Sequence, residues 1–495
     1  MTSIIVVVLV AALWATRSTN PLRGDSAEYL YFDRSRSVGY PAFLELVRIS
    51  TGHVAYAVQI QMVLLAASLL FLSLSFYQLV GRPGWSLIFQ ATLLLQAGMW
   101  FVSAFLMTEA LSTALIAFWC AQLVRMLKGP SLRGSTFLVA LSALATMIRP
   151  SLIALFFGTA LFMITALPRR ELVRALALAG LGLAAAWAAT PFAQYLVHGS
   201  ADTTSPFARG VLQHTLYCDP GSPPREPDSL FVEGEAAPVR HYIGTAPFDI
   251  REQLRRSYST PLRFGSIIPV LGQRHHLQLR SELDPYLTRI ADERVRANPS
   301  CYASSVGAEY LRMAVFATDP SAEEGRRANA FMANHPPPEV PQHPVLPGDE
   351  RLAIKAAGEV GNQVSGLNPV RQRLEVVAQV PFLALLPFRL LFGGAAIIGL
   401  CSLIALPFRH RLAPGLRSVT SVTAALAVAF HGVLAITAIV EIGFFRYLVP
   451  LWPVVCTLLG LALLGLFDAG SRLLLRDRSI LVRSAELAPA LRMNQ

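Results

Sequence analysis

Asp25, Glu28 and Asp33 stand among Arg23, Arg34 and Arg36 in the stretch RGDSAEYLYFDRSRSVGYPAFLELV, residues 23–47. On a helix Asp25 and Glu28, three apart, share a face with Tyr29, four from Asp25. A carboxylate at the membrane face of a span is costly unless a task keeps it there, and one so placed can take a proton from a hydroxyl. Asp25 is the candidate base, with Glu28 and, further along in LMTEALS, Glu109 beside it. The competing reading is a helix start, with Asp25 as N-cap and Glu28 completing a capping box. Glu109 likewise could be an acid that complements a helix N-terminus. A phosphate bound here would need cations, and guanidinium forks hold phosphate better than ammonium groups do. Lys128 and Lys355 are the only lysines, so a phosphate clamp must be mostly arginine. Arg149 and Arg446 are the favoured pair, with Arg34 and Arg36 behind them. Alternatively, Arg149 snorkels at a helix end, Arg446 pairs with Glu441, and Arg34 and Arg36 are solvated loop charges.

The elements that must position these residues are set by composition. With 495 residues, 54% hydrophobic and 15% charged, the chain has too many apolar side chains for a soluble core and too few charges for a soluble surface. It reads as an all-α polytopic membrane protein. Runs long enough to span a bilayer are expected near 54–80, 86–106, 109–127, 135–148 continuing to 151–167, 173–197, 382–406, 419–440 and 448–467. Residues 4–16 are a shorter candidate, either a retained span or the core of a signal peptide. If the N-terminus is cytoplasmic, the arginine-rich loops around 82, 125–133, 169–174, 409–417 and 472–483 all fall inside. The net charge of +11 then reports topology and contact with anionic lipid, and no basic–aromatic module points to nucleic acid. This orientation puts 17–52 and the long polar segment 198–380 outside.

Cys120, Cys401 and Cys456 fall within expected spans, whereas Cys218 and Cys301 are the only two cysteines in the polar segment. Facing an oxidising compartment, these two are expected to be bridged, with two buried thiols as the alternative. Apolar spacing within 198–380 predicts a mainly helical insertion, and NHPPPEVPQHPVLPG, residues 334–348, an extended connector. No internal repeat and no pair of Gly/Pro-broken helices suggests a transporter. The histidines lack metal-ligand spacing, so no metal site is expected. Neither a phosphate-cradling Gly-rich loop nor a Gly-x-Ser-x-Gly elbow is present.

An apolar first span, then Asp-x-x-x-Tyr, a basic stretch and Gly-Tyr-Pro-x-Phe-Leu resembles the GT-C superfamily of polyprenyl-phosphate-sugar-dependent glycosyltransferases. That superfamily includes the protein O-mannosyltransferases and the lipid A aminoarabinose transferases. The matching residues are Asp25, Tyr29, Gly39, Tyr40, Pro41 and Phe43. LMTEALS (106–112), MIRPSL (147–152) and FFRYLVPLWP (444–453) resemble the family's second acidic, Arg-Pro and Arg-Tyr-x-x-Pro signatures, carrying Glu109, Arg149, Arg446 and Tyr447. The resemblance covers roughly 1–200 and 380–467. It implies Asp25, Glu28 and Glu109 at the chemistry, Arg149, Arg446, Arg34 and Arg36 at the donor phosphate, and Tyr29, Tyr40 and Tyr447 at the substrate. Where several relatives carry a second acid directly after the first, this chain has Ser26, so Glu28 or Glu109 would have to replace it.

The expected fold is thus GT-C-like, with about ten transmembrane helices. A catalytic membrane module at 1–197 is followed by the insertion at 198–380, closing helices at 381–467 and a basic cytoplasmic tail at 468–495. The expected activity is transfer of a sugar from a polyprenyl-phosphate donor to a hydroxyl of a glycan, lipid or protein on the outer face of a cytoplasmic membrane. The alternatives are a transporter or flippase of a lipid-linked glycan, or an O-antigen-type polymerase or ligase. No cofactor is predicted, although some members of the superfamily use a divalent cation.

Overall fold

The computed structural model describes residues 22, 25–94, 99–100, 103–199, 201, 207–221, 224, 226–315, 322–361, 381–412, 414–440 and 445–465. Among these the elements are helices, with no sheet. The expected span at 4–16, the residues 362–380 and the basic tail lie outside the described residues.

The first helices are α1 (Ser26–Leu30), α2 (Gly39–Thr51), α3 (Ala57–Val80), α4 (Pro83–Leu94), α5 (Thr108–Met126), α6 (Leu132–Ile148), α7 (Ala154–Ala166) and α8 (Arg169–His198). Four helices, at Val54–Val80, Arg169–His198, Phe388–Arg411 and Leu416–Val440, are long and apolar enough to cross a membrane, the mark of a multi-pass membrane protein. Leu132–Ile148, Pro150–Ala166 and Val449–Gly465 are apolar but shorter. The span expected over 86–106 is not helical to its end: residues 83–94 and 99–100 are helical, but residues 103–107 are irregular. Irregular backbone in an apolar interior must have its carbonyls satisfied. Gln61 of α3 does this, its Nε2 donating to the Ser103 carbonyl at 2.8 Å and the Phe105 carbonyl at 2.7 Å.

α5 lies at the centre of the apolar core, burying Ala114, Ala117 and Ala121 in one cluster with Leu65, Leu69 and Leu72 of α3. Small side chains let helix backbones close on each other where lipid offers no hydrophobic drive for association. On another face of α5, Trp119 is fully buried and donates from Nε1 to Thr159 Oγ1 of α7 at 2.9 Å. The chain turns between α6 and α7 at Arg149-Pro150, where the extended Arg149 (φ −144°, ψ 109°) breaks the helix. A proline at the start of the next turn costs no hydrogen bond there.

Residues 207–361 form α9 (Phe207–Thr215), α10 (Pro227–Thr245), α11 (Arg251–Thr260), α12 (Ile268–Arg274), α13 (Asp284–Ala297), α14 (Pro299–Ala314), α15 (Ala322–Asn334) and α16 (Pro347–Gly361). They enclose a separate core built on Leu212, Leu216, Val232, Leu254, Leu271 and Leu287. Cys218 and Cys301 are disulfide-bonded, tying the chain just after α9 to the start of α14. The closing helices are α17 (Pro381–Ala405), α18 (Pro414–Val440) and α19 (Val449–Gly465). α14 anchors the polar segment to them: Tyr310 Oη lies 2.6 Å from His431 Nδ1, and Tyr302 Oη donates to the Ile439 carbonyl at 3.2 Å.

Candidate functional site

The strand of chain between α1 and α2 is held at several points. Ser37 Oγ donates to the Ile148 carbonyl at 2.8 Å, the Val38 amide to Thr190 Oγ1 at 3.3 Å, and Gln194 Nε2 to the Asp33 carbonyl at 3.3 Å. A His198 ring nitrogen lies 2.9 Å from the Phe32 carbonyl, fixing a phenylalanine whose φ of +47° is unusual for a bulky residue. Gly39 makes the next contact possible. A Cβ there would stand 2.6 Å from the Met147 carbonyl carbon and 2.7 Å from the Ile148 nitrogen, so only glycine lets α2 start against the end of α6. These contacts bring the charges after α1 to the Arg149 turn.

Between them lies a cavity of about 560 Å³. Asp25, Tyr29, Arg34 and Arg36 line it from the first loop, Glu109 from the start of α5, Arg149 from the α6–α7 turn and Tyr447 from the chain before α19. Its apolar wall includes Ile153, Trp187, Pro191, Ile436 and Val440, carried by the helices and turn around it. Three guanidinium groups face two carboxylates, so the lining carries a net charge of 3 − 2 = +1. Glu109 is 2% exposed, and its Oε1 lies 4.0 Å from Arg149 Nη1. Among the described residues Glu109 Oε2 and Ser151 Oγ are buried without a hydrogen-bond partner. The Arg149 guanidinium lies 4.6 Å above the centre of the Tyr447 ring.

Arg36 organises the acidic side. Its Nη2 lies 3.1 Å from Asp25 Oδ1, its Nε donates to Glu28 Oε2 at 2.6 Å, and its guanidinium stacks on the Tyr29 ring at 4.8 Å. Burial alone would lower the Arg36 pKa, but the negative charge of Asp25 beside it works the other way, and the guanidinium stays above its ordinary range. Burial pushes the Tyr29 phenol up, which keeps it neutral and able to donate a hydrogen bond. The capping box does not form. Asp25 occupies the N-cap position of α1 without a side-chain cap bond, and Glu28 turns instead to Arg36 and to Arg280.

Several other sequence candidates are placed differently. Tyr40 does not reach the cavity: it is fully buried, and its hydroxyl donates to Gln61 Oε1 at 3.1 Å. It therefore braces the side chain that holds the 103–107 loop ahead of Glu109. Glu28 is also buried, lies off the cavity, and is engaged by two guanidinium groups. The Arg446 side chain lies outside the described residues.

Arg280 and Ser281 are functional candidates that sequence reasoning missed. Arg280 reaches from the polar segment to Glu28 and lies 3.9 Å from Asp25, while Ser281 Oγ donates to Asp33 Oδ2 at 2.8 Å. Nothing in the local pattern around LRSEL marks them, because their partners lie about 250 residues earlier (|i−j| = 248).

Compared with protein-family models, with curated proteins and with solved structures, the chain shows no significant match. Among the described residues no group of three His, Cys, Asp or Glu is arranged to hold a metal ion.

Proposed function

We propose that this chain is a membrane glycosyltransferase that moves a sugar from a polyprenyl-phosphate donor to a hydroxyl acceptor on the outer face of a cytoplasmic membrane. The observation that carries this reading is the single cavity where Asp25, Arg36, Glu109, Arg149 and Tyr447 meet beside an apolar wall. A net positive, partly apolar pocket suits a lipid with an anionic headgroup. In the proposed reaction the acceptor hydroxyl gives its proton to an Asp25 carboxylate oxygen as its own oxygen bonds to the anomeric carbon. The bond from that carbon to the donor phosphate oxygen breaks, and the polyprenyl phosphate leaves with the electron pair. Arg149, with Arg34 and Arg36, holds the charge of that leaving group. Glu109, next to Arg149, keeps the guanidinium in place. The resemblance of the Asp-x-x-x-Tyr, Gly-Tyr-Pro and Arg-Tyr-x-x-Pro stretches to the GT-C superfamily supports the same chemistry.

The test is Asp25→Asn in the purified full chain, with radiolabelled polyprenyl-phosphate sugars as donors and a cell-envelope extract as acceptor. The change is nearly isosteric and removes the base, so transfer should fall by about 10²–10⁴-fold, with donor binding kept. Transfer at the wild-type rate would sink the assignment. Movement of intact lipid-linked glycan across vesicles by both proteins, with no sugar transferred, would favour the transporter alternative.

A further inference from the structure

The three guanidinium groups that line the cavity differ in what already holds them. Arg36 is engaged by Asp25, Glu28 and the Tyr29 ring. Arg149 lies beside Glu109 and over the Tyr447 ring. Arg34 lines the same cavity, yet among the described residues its side chain has no ion pair, hydrogen bond or ring contact. Because the two lining carboxylates stand beside the other two arginines, the uncompensated positive charge of the cavity resides at Arg34.

The backbone that carries Arg34 is, by contrast, fixed on both sides. Asp33 before it is buried, and its Oδ1 accepts from the Ser35 amide at 2.8 Å and from the Ser35 hydroxyl at 2.6 Å. These bonds close an aspartate turn across Arg34. Asp33 Oδ2 accepts from the buried Ser281 Oγ at 2.8 Å, a donor that comes from the polar segment just before α13. The Asp33 amide donates to the Glu28 carbonyl at 2.8 Å, while its carbonyl accepts from the Arg36 amide at 2.9 Å and from Gln194 Nε2 of α8 at 3.3 Å. The guanidinium is thus uncommitted, and its mount is held by α1, α8 and the polar segment. A cation presented from a fixed turn loses less freedom on meeting an anion than one on a loose loop.

We propose that Arg34 contacts the phosphate of the lipid donor and that Asp33 and Ser281 are its positioning residues, so that the polar segment sets the strength of donor binding. This inference rests on the transferase reading. The Ser281 hydroxyl has two effects. It holds the turn in place, and it keeps Asp33 Oδ2 occupied. Without it, a carboxylate one residue from Arg34 is free to neutralise the guanidinium that the phosphate needs.

The experiment titrates the full chain in lipid nanodiscs with decaprenyl phosphate, read by native mass spectrometry, with phosphatidylglycerol as an anionic lipid of different headgroup and thermal melts alongside. Arg34→Gln should weaken decaprenyl phosphate binding on the order of tenfold to a hundredfold, the loss of one charge-assisted contact. Its melt should match the wild type, and Arg34→Lys should recover part of the affinity. Ser281→Ala should weaken binding by roughly twofold to tenfold, the equivalent of one ordinary hydrogen bond, and Ser281→Thr should restore it. In the Arg34→Gln background Ser281→Ala should cost no further affinity, which a merely structural role for the hydroxyl does not predict. Wild-type affinity in Arg34→Gln, an equal loss of phosphatidylglycerol and decaprenyl phosphate, or the same Ser281→Ala loss with and without Arg34 would each overturn the proposal. A wild-type chain that binds decaprenyl phosphate through Arg34 yet transfers no sugar from a labelled donor would instead remove the transferase reading and leave the phosphate contact standing.

Discussion

Arg149→Ala removes a guanidinium that lies 4.0 Å from Glu109, with both side chains largely buried. At that distance and an effective dielectric of about 20, the attraction is worth roughly 4 kcal/mol. Stripping one partner from a buried pair generally costs about 3–5 kcal/mol, because the other charge is left uncompensated. The stacking of Arg149 on Tyr447 adds about 0.5–2 kcal/mol to what is lost. The single variant should therefore be destabilised by several kcal/mol. Glu109→Gln in the same chain removes the stranded charge, and the double variant should regain most of that stability. Phosphate binding should not return with it, since losing one charge-assisted contact costs about 1.5–3 kcal/mol, on the order of tenfold to a hundredfold in affinity. Apparent melting temperatures in nanodiscs and decaprenyl phosphate titrations read the two effects separately. If Arg149→Ala melts with the wild type, the pair is not the buried interaction described. If the double variant binds the lipid as tightly as the wild type, Arg149 holds Glu109 and nothing else.

Gly39→Ala should cost about 1–3 kcal/mol by overpacking α2 against the Met147–Ile148 backbone, measured as a lower melting temperature; an unchanged melt would mean that the close approach is not needed. Cys218→Ser with Cys301→Ser opens a link across 83 residues, which in the chain-entropy model stabilises by about 4.5 kcal/mol. The loss should show as faster proteolysis of residues 207–361, and equal cleavage rates with and without the bridge would contradict it. Burial pushes the Glu233 carboxyl up, but hydrogen bonds and charge from Arg240 and Arg294 outweigh it and hold the carboxyl below its usual range. A depressed carboxylate contributes stability above its unfolded pKa and loses it as pH falls through the folded one. Glu233→Gln should thus be less stable than the wild type at pH about 7, with the gap closing below about pH 4; a gap that is constant with pH would refute the assignment.

The helical character of the chain, with helices long and apolar enough to cross a membrane, was legible from the residues alone. That property is a sum over local hydropathy, and each apolar run carries its own signal whatever it packs against. Charged residues set at the mouths of apolar runs were legible for the same reason: Asp25, Glu109 and Arg149 stand out because carboxylates and guanidinium groups are costly beside lipid. What those residues touch depends on how the helices pack. Tyr40 looks like its neighbour Tyr29 in sequence, yet it is fully buried on Gln61 while Tyr29 lines the cavity, because α2 is seated on α6 by Gly39. The run 86–106 is apolar throughout most of its length, but a glutamine on another helix satisfies the carbonyls of an irregular loop there. A capping box and a carboxylate set for chemistry were equally written in Asp25 and Glu28, and no cap forms because Arg36 and Arg280 hold Glu28 instead. Arg280 meets Glu28 from the far side of the chain, and so distant a partner leaves no mark on the sequence around either residue.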